Sequence, residues 1–426
     1  MSSLGSADEL VSARSDASSY RVFWAAWSGW MLDGFDSGLY QFILVAALSD
    51  LLPESGIEAT KANIAAYGGM LFSIFMLGWA CSMFWGWLAD RIGRVRTLCY
   101  TILAYSIFTA CCGLAYSVAV FAIFRFLAGF GIGGEWAAGT PLLHESVPER
   151  IRVRLAGWLH TATPTGLTLA ALVALGTLPF FGWRGLFMIG VLPAMLGLYL
   201  RATLPEPKHA ETEKAPISSL FTGAQARSTW GAALMMACVI FGLWSSTFWV
   251  PTVVISKLVA EGSAAGHAQS MAALSGVFTN FGTFLGCLAM PWLTGLIGGR
   301  KRTAYIFFLG ALVTNVFVYL FIIPASEGIV LLFAFLPILG FFTNGIFALY
   351  TIWLPELFPS ALRGFGSGFA FSLGRILGAT GPTIVGLLAA RFGGYPIAIA
   401  LVSLIYLVGL PAISLARETS AERLRD

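Results

Sequence analysis

Apolar stretches of about 20 residues recur along nearly the whole chain, each bounded by a polar turn. As helices, rising about 1.5 Å per residue, they are long enough to cross a hydrocarbon layer of about 30 Å. Twelve such segments are read at 20–48, 64–89, 97–116, 118–144, 154–178, 183–203, 229–255, 269–298, 302–323, 327–354, 361–390 and 393–416. The one long polar interruption, 204–228, carries Glu206, Lys208, Glu211, Glu213, Lys214 and Arg227 and divides the segments six and six. A segment in lipid must satisfy its backbone polar groups internally, and these lengths favour helices over a barrel of short alternating strands. The pattern predicts an all-α integral membrane protein with twelve transmembrane helices. Its parts are a polar N-terminus (1–19), two six-helix halves (20–203 and 229–416), the linker 204–228 and a polar tail (417–426).

Composition agrees with that reading: of 426 residues 58% are hydrophobic and 11% charged, where soluble domains carry about a quarter charged. The basic residues then orient the chain. Arg91, Arg94, Arg96, Arg150, Arg152, Arg154, Arg300, Lys301, Arg302 and Arg363, with both ends and the linker, fall on one side of the twelve segments. Lys61, Arg184, Lys257 and Arg391 fall on the other. The positive-inside rule makes the crowded side cytoplasmic, so both termini are expected inside a plasma membrane, in a bacterium the inner one. The net charge of +4 is accounted for by this topology and gives no basic patch for nucleic acid. Residues 1–19 are polar and mixed, so no cleaved leader is expected and the first span serves as the insertion signal. The six cysteines lack metal-ligand spacing and read as small packing residues. The 48 glycines suit helices that approach closely and halves that rock against each other.

Charges inside the spans are the candidate chemistry, because a charge at the centre of a bilayer costs about 2.5–3.5 kcal/mol and normally faces a cavity or a partner. Asp33 and Asp36 stand in Trp30-Met31-Leu32-Asp33-Gly34-Phe35-Asp36 of the first span. Three residues apart, they share a helix face and are expected to look into one interior, either as a proton site or as ties between helices. Arg125 and Glu135 of the fourth span are ten residues, about 15 Å, apart along a helix, too far to pair directly. Glu135 either joins the two aspartates or balances Arg125. Arg375 is near the middle of the eleventh span with no acid in that helix. A guanidinium fork binds a carboxylate through two parallel hydrogen bonds, which makes Arg375 the candidate substrate anchor. The other reading is a permanent ion pair with Asp33, Asp36 or Glu135.

The turn after the second span reads Gly86-Trp87-Leu88-Ala89-Asp90-Arg91-Ile92-Gly93-Arg94-Val95-Arg96. It resembles the signature loop between the second and third helices of the major facilitator superfamily, and the six-plus-six topology extends that resemblance over the whole chain. The resemblance implies a gating latch at Gly86, Asp90, Arg91, Gly93 and Arg94. The equivalent turn in the second half, 295–302, lacks the acid, so the latch is expected on one side only. Arg125 followed by Gly129, Gly131, Gly133 and Gly134 resembles the superfamily's fourth-helix motif. Trp353-Leu354-Pro355-Glu356 to Arg363-Gly364 is similar to a turn of its sugar and organic-acid porters, with Glu356 and Arg363 expected as an ion pair. Only Pro205-Glu206-Pro207 matches the sugar-porter motif after the sixth span. The Asp-Gly-Phe-Asp run, Phe248-Trp249-Val250-Pro251-Thr252 and Gly374-Arg375 together resemble the proton symporters for organic acids, in their aromatic-acid and sialate or lactate branches.

The resemblance implies a secondary active transporter that imports a small carboxylate with a proton by alternating access, with no cofactor beyond the proton and with a monomeric bundle in lipid. Asp33, Asp36 and Glu135 are the proton-coupling candidates. Tyr40, Gln41, His160, Trp249, Asn280, Asn344 and Tyr350 are read as cavity-lining groups beside Arg375, His160 being the side-chain type that titrates near neutral pH. A proton antiporter that exports amphiphiles, and a sugar porter, are the alternatives. A membrane enzyme lacks a nucleophile constellation or metal cluster around the acids, and a sensor lacks an output domain.

Overall fold

The computed structural model describes residues 3–81, 83–146, 155, 158–191, 195, 199, 216–325, 328–359 and 362–420, and among them every regular element is helical. The first half contains α1 (Ser3–Glu54), α2 (Lys61–Ala80), α3 (Met83–Ile92), α4 (Arg94–Gly113), α5 (Val118–Ser146) and α6 (Ala162–Ile189). The second half contains α7 (Gly223–Ser246), α8 (Val250–Ala260), α9 (Ala265–Ile297), α10 (Arg300–Phe317), α11 (Gly328–Glu356), α12 (Arg363–Gly378), α13 (Thr380–Phe392), α14 (Tyr395–Val402) and α15 (Ile405–Leu415). Among the described residues ten helices are long and apolar enough to cross a membrane, and Val118–Gly134 adds a shorter apolar one. The sixth expected span, 183–203, begins in the part of α6 that follows Gly182, where the backbone turns at φ 62° inside an otherwise continuous helix. Only glycine adopts that angle without strain, which is how a turn fits where two spans were expected.

Several boundaries differ from the sequence pattern for physical reasons. The helix α1 runs from Ser3 to Glu54 rather than over 20–48, because Ala, Leu, Glu and Arg before residue 20 favour helix without being apolar. The seventh span is broken at Thr247–Trp249, and the eleventh at Ala379. Pro251 and Pro382 supply the cause: each lacks the N–H that would reach the carbonyl four residues back. The second span ends at Ala80 and restarts at Met83.

Lipid tails are as apolar as leucine, so helices in a bilayer are held by close packing rather than by exclusion of water. In the first half α1 packs on α6 and α2 on α5; in the second α9 packs on α11, and α7 on α12 and α15. The halves meet along α2 with α13 and α6 with α9. At the first seam a Cβ on Gly69 would lie 2.2 Å from the Pro382 carbonyl oxygen, and one on Gly386 2.3 Å from that of Ala65. Ser73 and Thr383 hydroxyls join across it at 2.7 Å. Beside them Phe72 stacks on Phe248 at 4.2 Å, and Phe248 on Tyr40 at 6.1 Å. The end of the bundle remote from the chain termini is thus shut between the halves.

At the opposite end the two halves repeat one device. Gly93 and Gly299, both at positive φ, open α4 and α10, and Thr97 and Thr303 each donate a hydroxyl to that glycine's carbonyl at 2.8 Å. The turn 295–302 carries no acid of its own, and one from elsewhere in the chain lies beside it. Glu418, beyond α15, accepts the backbone N–H groups of Arg300 and Lys301 at 3.0 Å each and caps α10. Its partial burial acts to raise the carboxyl's proton affinity, but the Lys301, Arg300 and Ser420 N–H donors outweigh this and hold it below the usual carboxylate range. Glu356 binds Arg300 at 3.2 Å and also accepts the Thr419 hydroxyl. The Arg363 side chain, expected as the partner of Glu356, lies outside the described residues, and Arg300 is the described partner.

Candidate functional site

A cavity of about 110 Å³ lies between the halves. Trp30, Asp33, Ser37 and Gln41 of α1, Trp79 of α2 and His160 just before α6 line it from the first half. Trp244 of α7, Asn280 of α9, Asn344 and Phe347 of α11, and Phe371 and Arg375 of α12 line it from the second. The break in the seventh span flanks it, with Thr247, Val250 and Pro251 in its wall. Irregular backbone at membrane depth is tolerated where it borders such a cavity.

Arg375 occupies the last turn of α12, where the helix dipole favours a cation. It is 5% exposed, and its guanidinium stands 4.6 Å from the Trp79 ring centroid, across the seam, and 5.5 Å from that of Phe371. The carboxylate whose charge reaches it is Asp33, also across the seam. The anchor and its counter-ion therefore belong to different halves.

Asp36 does not join Asp33 in one site, contrary to the expectation from their spacing. Residues three apart on a helix differ by about 60° in direction, and here the cavity edge falls between them. Asp36, 2% exposed, faces Arg125 of α5 inside the first half. Arg125 is fully buried, 4.1 Å from the Phe75 ring centroid and 4.8 Å from that of Tyr40. Its three side-chain nitrogens and Asp36 Oδ2 make no hydrogen bond, so this pair is coupled by charge alone. The partner sought for Arg125 is thus Asp36; the side chain of Glu135 lies outside the described residues.

Among the other expected lining groups, Gln41, His160, Asn280 and Asn344 do border the cavity, and Tyr40, Trp249 and Tyr350 do not. Tyr40 donates its hydroxyl to the Gly68 carbonyl at 3.3 Å in the aromatic seal, Trp249 packs on Tyr395 at 4.9 Å, and Tyr350 is fully buried behind Phe347. In the latch, Gly93 precedes α4, Gly86 lies within α3 and Arg91 is exposed, whereas the side chains of Asp90 and Arg94 lie outside the described residues. Sequence reasoning missed Trp30, Trp79, Phe347 and Phe371. Three of these carried a signal: Trp30, Phe347 and Phe371 are three or four residues from Asp33, Asn344 and Arg375, hence on the same helix faces. Trp79 has no such polar neighbour on its own helix.

A membrane bundle of two halves, shut at one end over a cavity lined by opposed charges from both, is a transporter, not an enzyme. The chain belongs to the Major Facilitator Superfamily, whose family model matches residues 26–382. A candidate metabolite transport protein of Haemophilus influenzae is 30% identical over 405 residues, covering 90% of this chain and 92% of that protein. The cis,cis-muconate transport protein of Acinetobacter baylyi is 29% identical over 385 residues, 87% of each chain. A D-xylose–proton symporter of known structure shares the fold at a TM-score of 0.72 and 18% identity, covering 95% of this chain and 99% of that one.

Proposed function

We propose that the protein imports a small organic anion together with a proton, by alternating access of the cavity to the two sides of a bacterial inner membrane, with both termini cytoplasmic. The observation that carries this reading is the placement of Arg375 and Asp33, cation and acid, on opposite halves at one buried cavity. With Asp33 ionised, its charge competes for Arg375 with any incoming anion. A proton on Asp33 cancels that charge and leaves the guanidinium to the substrate's carboxylate, which it holds through paired hydrogen bonds. Proton and anion then load together, the cavity carries no isolated charge, and the halves can close over it. The muconate transported by the related protein of Acinetobacter baylyi is itself a carboxylate, in keeping with this chemistry.

The test is saturable uptake by proteoliposomes under an imposed inward proton gradient, over protein-free vesicles, with a panel of aliphatic, aromatic and sugar acids. Uphill accumulation of at least one carboxylate is expected, and it should disappear when the gradient is collapsed. Export of uncharged amphiphiles that survives Arg375→Ala would overturn the reading in favour of a drug-type antiporter.

A further inference from the structure

Two buried asparagines in these helices satisfy their amide N–H groups within their own helix. Asn280 and Asn315 each donate their amide to the carbonyl four residues back, Gly276 and Ala311, at 2.8 Å. Asn344 of α11 has no such bond. Its equivalent carbonyl, on Gly340, is engaged by the Thr283 hydroxyl of α9 at 3.3 Å, in a stretch where the two helices touch so closely that a Cβ on Gly340 would lie 1.9 Å from the Thr279 oxygen. The Asn344 amide oxygen, like that of Asn315, is buried without a hydrogen-bond partner, and of the two only Asn344 borders the cavity. One turn along, Phe347 carries His160 stacked on its face at 5.7 Å and 7° between planes, and His160 Nδ1 is likewise buried without a partner.

The Asn344 orphan thus belongs to the α9–α11 wall, His160 meets that wall at Phe347 from the first half, and Arg375 belongs to the other helix pair of the second half, α7–α12. Each unsatisfied buried polar group costs about 1–3 kcal/mol, and at a cavity wall a bound ligand can supply the missing partner. Between the walls Trp30, Trp79, Phe347 and Phe371 contribute aromatic rings to the cavity lining.

We propose that Asn344, with His160 beside it, is the specificity determinant for a second polar group on the substrate. A planar carboxylate held on Arg375 by its acid group donates a hydroxyl or ring N–H, at its other end, to the Asn344 amide oxygen. This rests on the carboxylate-transport reading above and adds which carboxylates the cavity prefers.

The experiment compares benzoate, 4-hydroxybenzoate, 3-hydroxybenzoate and 4-methoxybenzoate as substrates of the full-length protein in proteoliposomes, scored as saturable uptake per unit KM. At least one hydroxylated acid is expected to exceed both benzoate and the methoxy compound by about 10- to 100-fold, the ratio that one buried hydrogen bond provides. In Asn344→Leu that ratio should fall to within about twofold. A wild-type protein that takes up all four acids equally, or an Asn344→Leu variant that keeps the full ratio, overturns the proposal. The wild-type ratio decides the matter by itself if the variant does not reach the membrane. Absence of saturable uptake for every acid is a different outcome, because it removes the carboxylate-transport reading and this proposal with it.

Discussion

Asp33 and Asp36 stand less than a full turn apart on one helix, yet they meet different arginines in different surroundings. Asp33 shares a cavity with Arg375 from the opposite half, while Asp36 faces Arg125 deep inside its own half. The first pairing is made across a seam that must open in transport, so a proton or a ligand can replace either partner. The second has no exit: all of Arg125 and nearly all of Asp36 are shut off from solvent, and neither can be neutralised without stranding the other. Equal residue types at close spacing therefore divide into a separable charge pair and a fixed one, according to which side of the cavity edge each side chain falls.

The largest expected effect breaks the fixed pair. Asp36→Asn leaves the buried Arg125 charge uncompensated, and should cost about 3–5 kcal/mol of stability, read as a large drop in the melting temperature of the solubilised protein. Adding Arg125→Gln to Asp36→Asn should restore much of that loss, because no buried charge remains. An Asp36→Asn protein as stable as wild type would show that the pair is not fixed at all. The next effect falls on the separable pair. Arg375→Gln should lower saturable carboxylate uptake by about 100-fold, the value of a charge-assisted double hydrogen bond, while stability changes little because its counter-ion Asp33 borders the cavity. Arg375→Lys should rescue only part of this, since an ammonium cannot reproduce the planar fork.

The smallest effect concerns a third acid cluster, where Glu418 and Glu356 strap the chain's last described residues to α10 and α11. Glu418→Gln should cost less than about 1 kcal/mol, as expected of a partly solvated cap. The sign with pH follows from a carboxyl held below its usual range: the strap's contribution is complete above about pH 4.3, the unfolded value, and is lost as pH falls through the lowered folded one. The gap in melting temperature between wild type and Glu418→Gln should therefore be present at pH 7 and close in strong acid.

Hydropathy alone disclosed the spans, their six-plus-six division and the polar residues at membrane depth, because the cost of burying charge in lipid leaves so few of them. Arg375, His160 and Asn344 were legible for that reason. What the sequence hid was direction. Nothing in the spacing of Asp33 and Asp36 tells that the cavity edge runs between them, and the pairing of Asp36 with Arg125 depends on how α1 leans on α5. Tyr40, Trp249 and Tyr350 were expected in the cavity wall because buried aromatics with polar tips look alike in sequence whether they line a cavity or seal one. Trp79 contacts Arg375 only through the seam between the halves, and Glu418 sits in a stretch whose polar composition reads as a loose tail.

The central claim is that Asp33 carries the proton that releases Arg375 to the substrate, and Asp33→Asn tests it most directly. Uptake of a transported carboxylate should be measured in proteoliposomes twice, once driven uphill by an inward proton gradient and once as exchange against the same carboxylate inside. The account predicts that Asp33→Asn loses gradient-driven accumulation and retains exchange, since a neutral side chain at residue 33 leaves Arg375 permanently available. Gradient-driven accumulation at wild-type levels in Asp33→Asn would contradict it.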